Sequence, residues 1–455
     1  MQFSFSLAIL GHSEHKEIEQ GLFSRLPRTM KYAIPALLAS SLFSTLSTAN
    51  ESMSKGEYIA RLGNCVACHT VEDGEPYAGG LRMAVPKLGV IYTTNITPDI
   101  ETGIGHYTFE DFDNSMRLGI AKDGHRLYPA MPYPSYAKIT KEDMKDLYDY
   151  FMNEVKPVKK AHPENEIPKH LQMRWPLGIW NFLTLDDDRY EANPDQGVLW
   201  NRGAYLTQGL GHCGACHTPR GILMQEKGLD ETDSAFLTGA VLDHWSASPI
   251  NGNINTGIGR WSVEDTAEFL KTGKNRFGTA FGTMVEVINN STQYMTDEDA
   301  LAMATYLKSL PASEKEAAYK YDDTSTKKLA HFDFTDRGAQ VYFEYCVSCH
   351  MYDGSGHNKA MPSLAGNPVI MDPDPSSLIN LTLNGSLRVV VDGEPDTFDM
   401  PYFSGLLNDE QIADVISYMR NAWGHSASDV SSEQVMEVRE ATDPTKHDVV
   451  ELRMQ

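Results

Sequence analysis

Beyond its first fifty residues this 455-residue sequence has no run of 18 or more apolar residues, which excludes a membrane-crossing helix from that part of the chain. Basic residues are scarce: 39 Lys and Arg face 62 Asp and Glu, a formal charge of −23. So acidic a chain repels phosphate backbones and anionic headgroups alike, which excludes nucleic acid as a partner. No phosphate loop, no GxGxxG after a strand and no Ser/His/Asp arrangement stands out, so substrate chemistry is expected in another polypeptide. Sustained strand alternation is rare too, which points to a mainly α fold. Finally, no cysteine is left over: all six fall into three pairs.

Each pair belongs to a CxxCH motif: CVACH at Cys65, Cys68 and His69, CGACH at Cys213, Cys216 and His217, and CVSCH at Cys346, Cys349 and His350. From the chain's own composition about 0.003 such motifs are expected by chance, so three are not accidental. Residues at i, i+3 and i+4 share one face of a helical turn. Two thioether bonds can therefore fix a porphyrin edge while the adjacent histidine rises to the iron. Zinc sites, thioredoxin-like pairs and exported disulfides are the rival readings, and none explains a histidine after every second cysteine. Three covalent haem c groups are expected.

The motifs sit in copies of one unit. Matching lead-ins, each opened by a basic residue and a glycine, begin at Lys55, Arg202 and Arg337. Each unit closes with a helix announced by a cap and an acidic first turn: TKED from Thr140, TDED from Thr296 and NDEQ from Asn408. Met144, Leu147, Tyr148 and Phe151 hold the apolar positions of the first closing helix. Met303, Tyr306, Leu307 and Leu310 hold those of the second, and Ile412, Val415, Ile416 and Met419 those of the third. NITPDIETGIG from Asn95 echoes NINTGIG from Asn253, as duplication would leave it. The expected architecture is three tandem cytochrome c-like domains with long Gly/Pro loops around covalent haems. They span 50–156, 197–311 and 333–424, joined by linkers 157–196 and 312–332 and followed by a polar tail, 425–455. Trp175 and Trp180 suggest that the first linker packs across its neighbours.

MKYAIPALLASSLFSTLSTA from Met30 has a basic start, a short apolar stretch and small residues at Ser47 and Ala49, the pattern of a cleaved export signal. Translation is expected to begin at Met30, with residues 1–49 absent from the mature, periplasmic protein.

A haem iron held by one histidine needs a sixth ligand, and in c-type carriers that is usually methionine. Met131 in LYPAMPYPSY lies 26 residues after Gly105 and 9 before Thr140; Met284 lies 25 after Gly259 and 12 before Thr296; Met400 lies 8 before Asn408. All three are expected on the loop leading into the closing helix. Met83, Met295 and Met361 compete but lie outside that slot. Of the histidines within the units, His106, His125, His212, His244 and His357, none recurs at one repeat position, and His125 and His357 read as surface or propionate-facing.

From about Lys55 to Trp423 the sequence resembles the triple-haem cytochrome c subunit of bacterial membrane-bound dehydrogenases acting on alcohols, gluconate, sorbitol and related sugars. The carrying motifs are the three CxxCH sites, NITPDIETGIG, MPYPSY with TKEDMKDLYDYFM, GTMVEVINNSTQYMTDED and DMPYFSGLLNDEQIADVISYMR. The resemblance implies His69, His217 and His350 with Met131, Met284 and Met400 as axial iron ligands. It also implies a large partner subunit carrying FAD or PQQ, with a small third subunit as an option, and ubiquinone in the inner membrane as acceptor. Some relatives attach through an amphipathic or apolar tail. The tail here has only scattered valines, so peripheral attachment through partners or a surface patch is expected. Two other readings are a multihaem enzyme with one open iron and a free-standing cytochrome relaying electrons between soluble partners.

Overall fold

A computed structural model of the chain describes residues 53–85, 88–242 and 244–443; the export signal expected at Met30 to Ala49 lies outside them. The described residues are mainly helical, and the strands among them form four two-stranded antiparallel ladders. Three helices recur in each copy. The first copy holds α1 (Lys55–Leu62), α2 (Phe109–Leu118) and α3 (Lys141–Asn153). After an intervening helix, α4 (Pro176–Thr184), the second holds α5 (Val198–Tyr205), α6 (Val263–Thr272) and α7 (Asp297–Ser309). The third holds α8 (Arg337–Tyr345), α9 (Ser376–Asn384) and α10 (Asp409–Asn421), and α11 (Ser432–Ala441) follows.

Local chemistry sets the helix ends. Thr140, Thr296 and Asn408 accept the backbone N–H three residues on, so the closing helices α3, α7 and α10 start where their caps stand. Each runs for 13 residues. Thr108 with Asp111, and Ser262 with Asp265, form reciprocal capping boxes on α2 and α6. Gly119 and Gly273 end these helices in the left-handed region, at φ 62° and 66°.

The basic residue and glycine that open each copy have a packing reason. Gly56, Gly203 and Gly338 lie where the lead-in helix crosses the closing helix. A Cβ there would meet the backbone carbonyls of Asp146, Ala302 and Asp414, and would come within 2.5, 2.8 and 2.7 Å of the Cβ atoms of Tyr150, Tyr306 and Tyr418. Only glycine permits this approach. One residue earlier, Lys55 pairs with Asp143 and Asp146, Arg202 with Asp299, and Arg337 with Glu410 and Asp414.

The apolar stripes of the closing helices are buried, from Met144, Leu147 and Phe151 to Ile412, Val415 and Ile416. The first two copies share one core, in which α1 and α3 residues pack with those of α5 and α7. Reciprocal bonds tie them: Tyr58 donates to Asp299 at 2.7 Å, and Tyr205 donates to Asp143 at 2.7 Å. Tyr58 stands three residues after Lys55 and Tyr205 three after Arg202, so the two copies meet through the same patch of each, as in an isologous interface.

The third copy has its own core around Trp423. Val430, Val435 and Val438 are buried in it, and Arg439 pairs with Asp409. Val435 and Val438 form the inward face of α11, so the described part of the expected polar tail, 425–443, packs on the third copy, and its remainder lies outside the described residues. The stretch after Pro157 lies along the first copy. Val90 and Glu166 bridge antiparallel, and the Asn95 amide donates to the Val158 carbonyl.

Candidate haem-binding sites

The CxxCH segments fold as short helical turns at Cys65–His69, Gly214–His217 and Val347–His350. Left-handed Asn64 (φ 51°) and His212 (φ 36°) turn the chain into the first two, whereas α8 runs almost directly into the third. None of the six cysteines is in a disulfide. Burial pushes the thiols of Cys65, Cys213 and Cys346 up to about 12 and that of Cys68 to about 11. Thiols held in the protonated form make poor redox nucleophiles, and among the described residues no group of three or more His, Cys, Asp or Glu could hold a metal ion.

The histidines share a setting. His69 Nδ1 lies 2.7 Å from the Thr94 carbonyl, His217 Nδ1 2.7 Å from that of Ser248, and His350 Nδ1 3.1 Å from that of Pro362. A carbonyl only accepts, so Nδ1 carries the proton and Nε2 keeps its lone pair for a metal. Burial lowers all three pKa values, which favours the neutral imidazole that ligation requires. A second anchor recurs: the N–H groups of Gly79, Gly239 and Gly356 donate to the carbonyls of His69, His217 and His350, and all three glycines have positive φ. Sequence reasoning missed these six positions. The three carbonyl partners lie 25, 31 and 12 residues beyond their histidines, and a backbone acceptor leaves no side-chain signal.

The predicted methionines follow the same local order in each copy: helix, glycine, hairpin, methionine. After α2 and Gly119 comes the Ile120–Arg126 bridge and then Met131; after α6 and Gly273, the ladder Lys274–Asn275 with Gly278–Thr279 and then Met284. After α9 and Gly385 comes the ladder Val390–Val391 with Glu394–Pro395 and then Met400. Met131 and Met400 lie outside helices as expected, but Met284 sits in the first turn of the helix Thr283–Asn290. Met295 is 3% exposed inside the shared core and Met83 pairs with Ile91 in a ladder. His106, His125, His244 and His357 are exposed, and His125 is held by Asp123.

In the third copy these groups line one cavity of ≈ 330 Å³, a size typical of ligand pockets. Cys346, Cys349, His350 and Met400 project among Ile370, Leu378, Phe403 and Leu407, and Met361 lines it too. Thiols, a neutral imidazole and a thioether on apolar walls suit a covalently attached porphyrin and its iron. Thr279, Ala280 and Phe281 of the second copy close one side, a few residues before Met284. The first and second sites also adjoin: Tyr136 packs edge-on against His212, just before the second CxxCH, and donates to the Gly63 carbonyl just before the first.

The cytochrome c family model matches residues 53–154 and 335–423. The chain is 45% identical over 420 residues to the cytochrome c subunit of gluconate 2-dehydrogenase from Pantoea cypripedii, covering 90% of this chain and 95% of that one. The chain belongs to the family of dehydrogenase cytochrome c subunits. It is likewise 44% identical over 430 residues to the cytochrome c subunit of the quinone alcohol dehydrogenase from Gluconacetobacter polyoxogenes, covering 93% and 92% of the two chains. With the fructose dehydrogenase cytochrome subunit of Gluconobacter japonicus the identity is 38% over 417 residues, covering 86% and 84%. The family supports haem c as the prosthetic group and electron transfer as the task, and the mainly helical cytochrome fold agrees with it.

Proposed function

We propose that this chain is a periplasmic triple-haem electron-transfer subunit, taking electrons from a large flavin- or PQQ-containing dehydrogenase subunit and passing them to ubiquinone in the inner membrane. Three haem domains, 50–156, 197–311 and 333–424, each hold one haem c through Cys65 and Cys68, Cys213 and Cys216, or Cys346 and Cys349. His69 with Met131, His217 with Met284, and His350 with Met400 are the axial pairs. The observation that carries this reading is the threefold Nδ1-to-carbonyl anchor, which leaves each Nε2 free to bind iron. When bound, haem c supplies a reversible one-electron couple at iron, which a methionine ligand shifts upward. The protein's own residues orient the imidazoles, keep water out with apolar walls and hold neighbouring sites close.

The packing of Tyr136 against His212 and its bond to the Gly63 carbonyl, beside the second and first CxxCH turns, and the lining of the third cavity by residues 279–281 favour a continuous relay through all three copies. Met131, Met284 and Met400 would hold the position on each iron that a substrate would otherwise need, so catalysis would belong to the partner. Exposing the reduced protein to carbon monoxide tests this. Capped irons leave the spectrum unchanged, whereas a fast-binding haem would favour a self-sufficient enzyme.

A further inference from the structure

The intervening helix α4 is inside out. Its one amide residue, Asn181, is buried, donating its amide to the Leu118 carbonyl and accepting from the Tyr133 hydroxyl. Its apolar residues Ile179, Phe182 and Leu183 face water, Phe182 at 87% exposure, and Trp175 just before it is exposed as well. A second apolar tip stands beside it. The chain turns tightly between Gly221 and Gln225, and Ile222 at that tip is 99% exposed. Trp180 Nε1 donates to the Leu223 carbonyl at 2.8 Å, fastening helix and tip into one face. Scattered exposed apolar residues need no explanation, but a contiguous set on two fastened elements does.

We infer that this face is the membrane-attachment surface, with α4 lying in the headgroup layer and the 222–224 tip dipping beside it. The inference rests on the reading of the chain as a peripherally attached electron carrier and names the surface that does the attaching. Charge complementarity argues for a lipid surface. From Ile167 to Leu185 there is no acidic residue and the aspartates Asp186 to Asp188 follow only beyond the helix end, Asp186 paired with Lys138, while Lys169, His170 and Arg174 lie just before the helix, and Arg126 lies against Gly178. At the second element Lys227 is exposed and Glu226 is nearly buried. The chain's overall charge of −23 is screened beyond a Debye length of about 8 Å at physiological salt, so this local basic edge is what a headgroup meets. A short helix with an apolar outer face, a tryptophan at its start and a basic N-terminal flank has the make-up of an interfacial element. No helix among the described residues is long and apolar enough to cross a membrane. Because Tyr133 bonds Asn181 two residues after Met131, this docking brings the first site close to the bilayer that holds the quinone.

The test is co-sedimentation of the full-length holoprotein with vesicles of phosphatidylethanolamine and phosphatidylglycerol. Wild type sediments, and Phe182→Glu with Ile222→Glu together lower the partition constant about a hundredfold, since each large apolar side chain kept in water is worth about tenfold. Ile222→Glu alone, at a fully exposed tip, gives about tenfold, and Met436→Glu on α11 gives no change. The haem spectrum and reduction by dithionite are recorded on every variant, so failure of the electron-carrier reading shows up independently of vesicle binding. Wild type that does not sediment, or Glu variants that sediment as wild type, would overturn the inference. So would variants that keep the vesicles but lose the dehydrogenase partner, which would make the face a protein interface.

Discussion

Replacing Gly338 with alanine probes the helix crossing that repeats in all three copies. The new Cβ would lie 2.7 Å from the Tyr418 Cβ and against the Asp414 carbonyl, where ordinary carbon contacts sit at about 3.5–4.0 Å. Helices α8 and α10 would have to part by about 1 Å, loosening Tyr342 and Ile416, both fully buried at that junction. Overpacking of this kind costs about 1–3 kcal/mol. Alanine's better helix propensity returns at most about 1 kcal/mol, and the exposed Arg337 pairs contribute about 0–1 kcal/mol whichever residue follows them. The net expectation is a loss of about 1–2 kcal/mol, read as a lower urea midpoint at unchanged slope. Gly405→Ala serves as control, because nothing lies within 4 Å of its Cβ position. A midpoint for Gly338→Ala at or above wild type, or an equal fall in the control, would refute the packing argument.

Burial raises the Glu226 carboxyl from 4.5 to about 7, outweighing Arg220 at 3.7 Å. The folded state thus binds its proton more tightly than the unfolded chain, so stability falls as pH rises from about 4.5 to 7. Glu226→Gln should be about 3 kcal/mol more stable than wild type at pH 8 and indistinguishable at pH 4 by urea unfolding; the reverse order contradicts the burial. Tyr58→Phe and Asp299→Asn, combined in a double-mutant cycle, should show about 1 kcal/mol of coupling, and simple additivity would deny the bond between the first two copies. Met131→Ala should lower the potential of one haem and open it to carbon monoxide while haem content stays constant; an unchanged spectrum would shift the assignment to Met83.

Much of this was legible in the sequence because it is written in side chains. The CxxCH triplets, the caps at Thr140, Thr296 and Asn408 and the apolar stripes each carry a local signal that the fold reproduces. The glycines after Lys55, Arg202 and Arg337 were visible as a repeat, but their purpose appears only when the closing helices, far away in sequence, cross them. Carbonyl partners of the histidines were invisible, since Thr94, Ser248 and Pro362 act through backbone atoms at unequal separations. The valines of α11 and the linker tryptophans look alike as scattered apolar residues, yet Val435 is fully buried, Trp180 packs edge-on against Tyr133 and Trp175 is exposed, because tertiary neighbours decide which way a short amphipathic helix faces.

The most direct measurement is the number of covalently bound haems per chain, from the pyridine haemochrome absorbance of denatured protein divided by its concentration from amino-acid analysis. The account predicts three, all resistant to acid-acetone extraction. Two or fewer in fully matured protein, or haem that extracts freely, would contradict it.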